Sequence, residues 1–247
     1  MRSSNYFIVF NGVTDIDIGL SATKRPNIIN PQQASITEKT IEGRDETVTV
    51  KSKTLKNIEI PISYNFIDRK DFIEKTRLIK KWINKIDDNR LMFSDDLDMY
   101  YRVKYCKLQV IERTRRKKGS FEVTFVCSPF IYYKSGDKEI INPKLLHNPS
   151  YLISKPIYKI EAEGIISLIV NGKETKFNIG QELLIDTELE LCFRGKTKNN
   201  IAFEEGWFND LFLNIKKYIL VIVGDNMKKM IMFLLIFFVG IFSINAL

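Results

Sequence analysis

One histidine, three cysteines and two tryptophans among 247 residues leave little material for several kinds of chemistry. His147, the lone imidazole, stands in the Pro-flanked stretch Leu145-Leu146-His147-Asn148-Pro149, which reads as a surface loop. Any mechanism that needs an imidazole base would have to run through it. Cys106, Cys127 and Cys192 lie 21 and 65 positions apart with no Cys-x-x-Cys, so neither a cysteine-built zinc site nor a disulfide framework is expected. The chain also lacks a phosphate-cradling Gly-x-x-x-x-Gly-Lys-Ser/Thr loop, a Gly-x-Gly-x-x-Gly turn, a Gly-x-Ser-x-Gly elbow and a His-Glu-x-x-His pair. Its start, Met1-Arg2-Ser3-Ser4-Asn5, has no long apolar segment behind it, so no export signal is expected.

Carboxylates are present but are not arranged for catalysis. Asp95-Asp96-Leu97-Asp98 lacks the glycine and terminal glutamate of a calcium loop and reads as a solvated turn between two strands. Glu161 and Glu163, like Glu188 and Glu190, are two apart, which on a strand puts them on one wet face. No catalytic, cofactor-binding or metal-binding residue is therefore assigned.

The net charge of +8 is uneven: residues 1–135 hold 25 Lys/Arg against 17 Asp/Glu, and residues 136–247 hold 13 of each. Such asymmetry suggests two units with different surroundings. Part of the excess is the run Arg113 to Lys118, read as a solvated hairpin tip with Gly119 supplying the turn. Short β-branched and aromatic runs at Tyr6–Asn11, Thr47–Val50, Asn57–Asn65, Leu91–Phe93, Tyr100–Glu112 and Phe121–Cys127 read as strands, with Pro129 stopping the last of them. Between Asp68 and Ile86, Phe72, Ile79, Trp82, Ile83 and Ile86 recur at helical spacing, with Asp68 as cap and a basic outer face of Lys75, Lys80, Lys81 and Lys85. Asn142-Pro143, Asn148-Pro149 and Lys155-Pro156 mark a linker over 136–155. Strand-like runs follow at Ile157–Glu161, Ile165–Val170, Glu182–Asp186 and Glu188–Phe193, with Asn171-Gly172 as a two-residue hairpin turn; this texture suggests a small β-sandwich over 156–225.

The last segment, 226–247, is different. Met230 to Leu247 is an uncharged run of 18 residues behind Lys228-Lys229, and as a helix it would rise about 27 Å, the span of a hydrocarbon core. A membrane anchor, a buried strand and an appended segment are all open readings. The favoured one is an appended segment, helical where ordered, because 18 apolar residues exceed what one strand of a small sandwich hides.

The order of short motifs carries more information than any one of them. Phe7-Ile8-Val9-Phe10-Asn11-Gly12, Arg25-Pro26, Ile41-Glu42-Gly43-Arg44-Asp45, Trp82-Ile83, Leu91-Met92-Phe93-Ser94-Asp95 and the stretch Gly119 to Phe130 resemble, in sequence order, the siphophage distal tail proteins. Asn148-Pro149, Lys155-Pro156, Gly164-x-Ile166-x-Leu168 and Ile185-Asp186 match the family's second domain more loosely, and nothing beyond about 226 does. The resemblance implies a mainly β protein. A first domain, residues 1–135, would carry one packed helix and close into a homo-hexameric ring, and a galectin-like β-sandwich would follow. It implies a structural, non-enzymatic role without cofactors, at the virion tail tip. The partners implied are the tail tube protein, tail-tip proteins and receptor-binding proteins, with no specific nucleic acid. Phe10, Asn11, Gly12, Gly43, Arg44, Asp45, Trp82 and Pro129 are carried over as the signature of structure and interface. A carbohydrate-binding module is the rival reading, with Trp207 or Tyr158 as the aromatic platform. A nucleic-acid binder is weaker still, because few aromatics interleave with the basic residues of the first half.

Overall fold

The computed structural model describes residues 6–240 apart from 28, 30, 33–35, 44, 53, 69–70, 142–144, 149, 151, 171, 214–216, 225–230 and 236–238. The chain divides into two compact units, one within residues 1–131 and one within 132–241.

The first unit contains strands β1 (Ile8–Phe10), β2 (Val13–Thr14), β3 (Leu20–Ala22), β4 (Ile36–Lys39), β5 (Val48–Lys51) and β6 (Ile58–Ile67), helix α1 (Phe72–Asn84), then β7 (Arg90–Phe93), β8 (Asp96–Leu108), β9 (Glu112–Arg115) and β10 (Lys118–Tyr133), which runs just past the unit's end. Its main sheet has the order β2-β1-β7-β8-β10-β6-β3, and β4 and β5 pair separately. The register follows the two-residue alternation. On β6, Ile58, Ile60, Ile62, Tyr64 and Phe66 are all buried while the residues between them face outward. Antiparallel pairing sets Tyr64 opposite Phe121, Ile62 opposite Val123 and Ile60 opposite Phe125. The Tyr64 and Phe121 rings stack at 5.3 Å, a cross-strand pair of the kind that fixes register.

Helix α1 covers this face. Ile79, Trp82 and Ile83 are buried, and Phe72 and Ile86 pack against the same cluster, as the helical spacing predicts. The cap differs from expectation. Asp71, in extended backbone, accepts from the amides of Ile73 (2.8 Å) and Glu74 (3.4 Å), while Asp68 stands one step back and accepts from the Asp71 amide. Lys75 is likewise not part of a free basic face, since its ammonium donates to the Ile18 carbonyl.

Two other expectations fail for steric reasons. The tip of the β9–β10 hairpin is Arg116-Lys117, and Gly119 lies inside β10, buried, where an added Cβ would stand 2.5 Å from the Phe66 ring and 2.9 Å from that of Phe72. It is a close-approach glycine, not a turn glycine. Pro129 does not stop its strand: β10 continues to Tyr133. Pairing with β6 ends at Cys127, so Pro129 comes where that ladder no longer needs an amide.

The second unit contains β11 (Ile140–Ile141), β12 (Leu145–His147), β13 (Ile157–Val170), β14 (Lys173–Asp186), β15 (Leu191–Arg194), β16 (Thr197–Lys198), β17 (Phe203–Glu205), β18 (Lys217–Gly224) and β19 (Ile231–Leu235). The runs expected as separate strands at 157–161 and 165–170 are one strand. It pairs along its whole length with β14, and Val170 opposite Lys173 closes the two-residue turn in which Gly172 has φ +78°. The two halves of β13 have different outer neighbours, β19 at Ile157–Glu161 and β18 at Ile166–Val170. At the change-over Glu163, Gly164 and Ile165 are exposed, and Gly164 has φ +99°. Buried residues come from alternate positions of both strands, with Tyr158, Ile160, Ile166 and Leu168 against Phe177, Ile179, Leu183 and Ile185 in one core.

Residues 136–155 are not a featureless linker, since they carry β11 and β12 and the buried Asn148. The Asn148 amide donates to the carbonyls of Leu152 (2.8 Å) and Leu213 (3.1 Å) and accepts from Ser150. His147, expected in a loop, ends β12. Most consequential is the C-terminal run. Ile231–Leu235 is a strand, paired with β13 and with β11, so the favoured reading as a helical appendage is overturned for these residues; residues 241–247 lie outside the described residues. A β13 edge of five residues accepts five, so part of the run suffices. Among the described residues no helix is long and apolar enough to cross a membrane.

Candidate assembly site

Four of the signature residues meet at one junction. Phe10 opposite Val13 leaves Asn11 and Gly12 as a two-residue turn with φ +57° and +72°, the left-handed pair that a tight antiparallel hairpin requires. Phe10 is fully buried, with its ring edge-on to Trp82 (5.6 Å) and Phe125 (4.9 Å). The Trp82 indole Nε1 donates to the Phe10 carbonyl at 3.0 Å.

Asn11 then does what no helix residue can do for itself. Its Nδ2 donates to the carbonyls of Trp82 (3.2 Å) and Lys85, and its Oδ1 accepts from the amides of Asp87 (2.8 Å) and Asp88 (2.9 Å). The last carbonyls of a helix have no partner within it. Asn11 supplies one from 71 residues away and fixes the outgoing chain at the same time. A primary amide has two donors and two strong acceptor positions, and all four are in use. The turn and α1 are thereby locked into a single block, and this role is invisible in a sequence read locally.

The remaining signature residues lie elsewhere. Gly43, with φ +83°, and the exposed Asp45 belong to the loop between β4 and β5, and Arg44 lies outside the described residues. Pro129 is half-buried in β10. Sequence reasoning missed Asp15. This residue is 1% exposed, and its Oδ1 accepts from the amides of Ile8 (3.0 Å) and Ile16 (2.9 Å) while Oδ2 has no partner. Burial raises its carboxyl above the usual range despite those amides.

A cleft of about 320 Å³ opens in the first unit between Tyr6, Phe93, Met99, Tyr101 and Ile131. Arg25 lies over the Tyr6 ring at 5.2 Å and 3.5 Å from Asp95. Burial pushes the Tyr101 phenol up to about 12, so it stays neutral. The thiols are equally unreactive: burial raises Cys106 and Cys127 to about 12 and Cys192 to about 11, far from a thiolate at neutral pH. Among the described residues no group of three His, Cys, Asp or Glu is placed to hold a metal. Glu161 is paired with Lys159 at 2.9 Å. Of the two proposed aromatic platforms, Tyr158 is excluded, because it is fully buried with its hydroxyl donating to the Leu211 carbonyl at 2.7 Å. Trp207 is 74% exposed.

The chemistry of the first unit is thus that of a braced scaffold, and comparison with known proteins points the same way. Residues 11–127 match the phage tail protein RIFT-related domain family. No protein of curated function matches the sequence. The fold is that of the Dit protein of phage SPP1, whose crystal structure is described as a paradigm of the hub adsorption apparatus in phages infecting Gram-positive bacteria. The TM-score is 0.62 at 14% identity, over 95% of this chain and 100% of that one. A tail-domain likeness that begins at the Asn11 turn and ends at Cys127 thus lies within a chain that has, along nearly its whole length, the fold of that solved hub protein.

Proposed function

We propose that this chain is the structural hub of a siphophage tail tip, a homo-hexamer joining the tail tube to the adsorption apparatus. The observation that carries the reading is the agreement of two likenesses, a tail-domain match over residues 11–127 and a hub-protein fold over nearly the whole chain. A closed ring requires a heterologous interface, one face of each protomer meeting a different face of the next. We assign that interface to the first domain, residues 1–135, whose Asn11 clamp holds hairpin and helix as one rigid block, and whose Gly43 and Asp45 are exposed between β4 and β5. The second domain, a galectin-like sandwich, then serves tail-tip and receptor-binding proteins. The role is architectural, without catalysis or cofactor. DNA would pass through the ring unread.

Light scattering on the full chain should give six times the 28.8 kDa chain mass, with sixfold rings in negative stain. A chain that stays monomeric at high concentration, even with tail-tube protein added, refutes the ring.

A further inference from the structure

The second unit presents an aromatic platform that its own core does not use. Trp207 is 74% exposed, whereas Trp82 is 6% exposed. Its position is held from both sides. Gly206 before it has φ +111°, and a Cβ there would meet Thr175, Cα included, at 2.9 to 3.0 Å, so the chain crosses β14 at the closest possible approach. After it, a 3-10 turn over Phe208–Leu211 is tied down by Lys173 to Asp210 at 2.6 Å, by the Tyr158 hydroxyl on the Leu211 carbonyl, and by the buried Leu211 side chain. An indole this exposed stands outside the core cluster of the second unit, next to the stacked rings of Phe203 and Phe208.

Beside it lies a cleft of about 290 Å³, lined by Glu190, Phe203, Trp207, Phe208 and Asn209. Phe203 and Phe208 stack at 4.7 Å and pack on the core, giving the cleft a rigid apolar wall. Glu190 is a non-glycine residue at φ +55°, a sparsely populated conformation of the kind retained where a side chain must be aimed. The volume is at the small end for a ligand site and suits one or two rings.

We propose that this cleft binds a neutral pyranose sugar. The axial C–H face of the ring would lie on the Trp207 indole, an apolar contact of matching shape. The sugar's hydroxyls would donate to the Glu190 carboxylate, and its ring or glycosidic oxygens would accept from the Asn209 amide. A flat apolar face bordered by hydroxyls is what one exposed indole with a carboxylate and an amide complements. Sugar binding here stands on the second unit alone and does not require the hub reading.

The test is saturation-transfer NMR on the full chain with methyl glycosides of glucose, galactose and N-acetylglucosamine. At least one should receive saturation through its C–H face. Trp207→Ala should weaken that transfer by about tenfold, Trp207→Phe less, and Glu190→Gln by a few-fold. Both side chains are exposed, and an unchanged melting midpoint and far-UV spectrum check that the variants fold. No transfer from any of the three sugars overturns the proposal, as does transfer that survives Trp207→Ala. Displacement of the bound sugar by galactose in excess supports a sugar site. A lysine peptide that binds where no sugar does would instead make the cleft a cation site, since indole and carboxylate also suit an ammonium group, and would refute it.

Discussion

Replacing Asn11 by alanine removes four hydrogen bonds and forces a β-carbon-bearing residue without a polar side chain to hold φ +57°. Each neutral hydrogen bond contributes about 0.5 to 1.5 kcal/mol net, and this amide is half-exposed, so the side chain is worth about 2 kcal/mol. Left-handed backbone adds about 1 kcal/mol for alanine. Asn11→Ala should therefore cost about 3 kcal/mol, and Asn11→Gly, which keeps the backbone relaxed, about 2 kcal/mol. Asn11→Asp keeps the acceptors but sets a carboxylate against the Trp82 and Lys85 carbonyls at the negative end of α1. Those carbonyls would raise the new carboxyl's folded pKa, so its penalty is full above that value, falls as pH drops through it, and is gone below the unfolded value. Urea unfolding followed by tryptophan emission is the assay, at fixed protein concentration. Trp82 is nearly buried and dominates the change, while Trp207 is already in water and contributes little. A shift of about 1 M or more in the alanine midpoint is expected. Alanine and glycine variants that both unfold within about 0.5 kcal/mol of the parent would refute the clamp.

Three further outcomes are expected. Asp15, raised by burial, should give stability that is fully present below its unfolded pKa and is lost as pH rises through the folded value; Asp15→Asn should flatten that step in acid-range melts, and a step that persists assigns it to another group. Gly206→Ala should destabilise the second unit by about 1 to 3 kcal/mol through clash with Thr175 and backbone strain, read as a lower melting midpoint; an unchanged midpoint means that the loop relaxes. Truncation after Gly224 removes β19 and leaves Ile157–Glu161 as an open edge, so the shortened chain should melt earlier and aggregate, while a shortened chain as stable and soluble as the parent would make β19 dispensable.

Much of this architecture was legible in the residues. The 3.6-residue recurrence of Ile79, Trp82, Ile83 and Ile86 located α1, and two-residue alternation located β6 and β10, because each pattern maps directly onto one buried face. Misreadings came where distant partners decide. Pro129 and Gly119 punctuate a sequence locally, yet one sits past the end of a ladder and the other beneath two phenylalanine rings. Asn11-Gly12 was read only as part of a strand-end motif, and nothing near it announced a helix end arriving from residues 82 to 88. The apolar C-terminal run failed for another reason: hydrophobicity without periodicity does not distinguish strand from helix. For the candidate sites, Trp207 and Tyr158 were equal on paper, and only burial separates them.

β13 lies between strands made long after it, and this sets an order of events at the ribosome. When Ile157–Val170 and its hairpin partner have emerged, the outer neighbours of both halves, β18 and β19, are still to be synthesised. The seven strands in the order β2-β1-β7-β8-β10-β6-β3 are all available by Tyr133, before any strand of the second unit's hairpin is made. The nascent protein thus carries a sheet braced at its front end and an open-edged hairpin behind it, and the second unit closes only once β18 and β19 have emerged. Arrest-peptide force measurements should register an early folding event for the first unit and none for the second until β18 and β19 are exposed. A second event well before β18 emerges would show that the hairpin closes without its late neighbours.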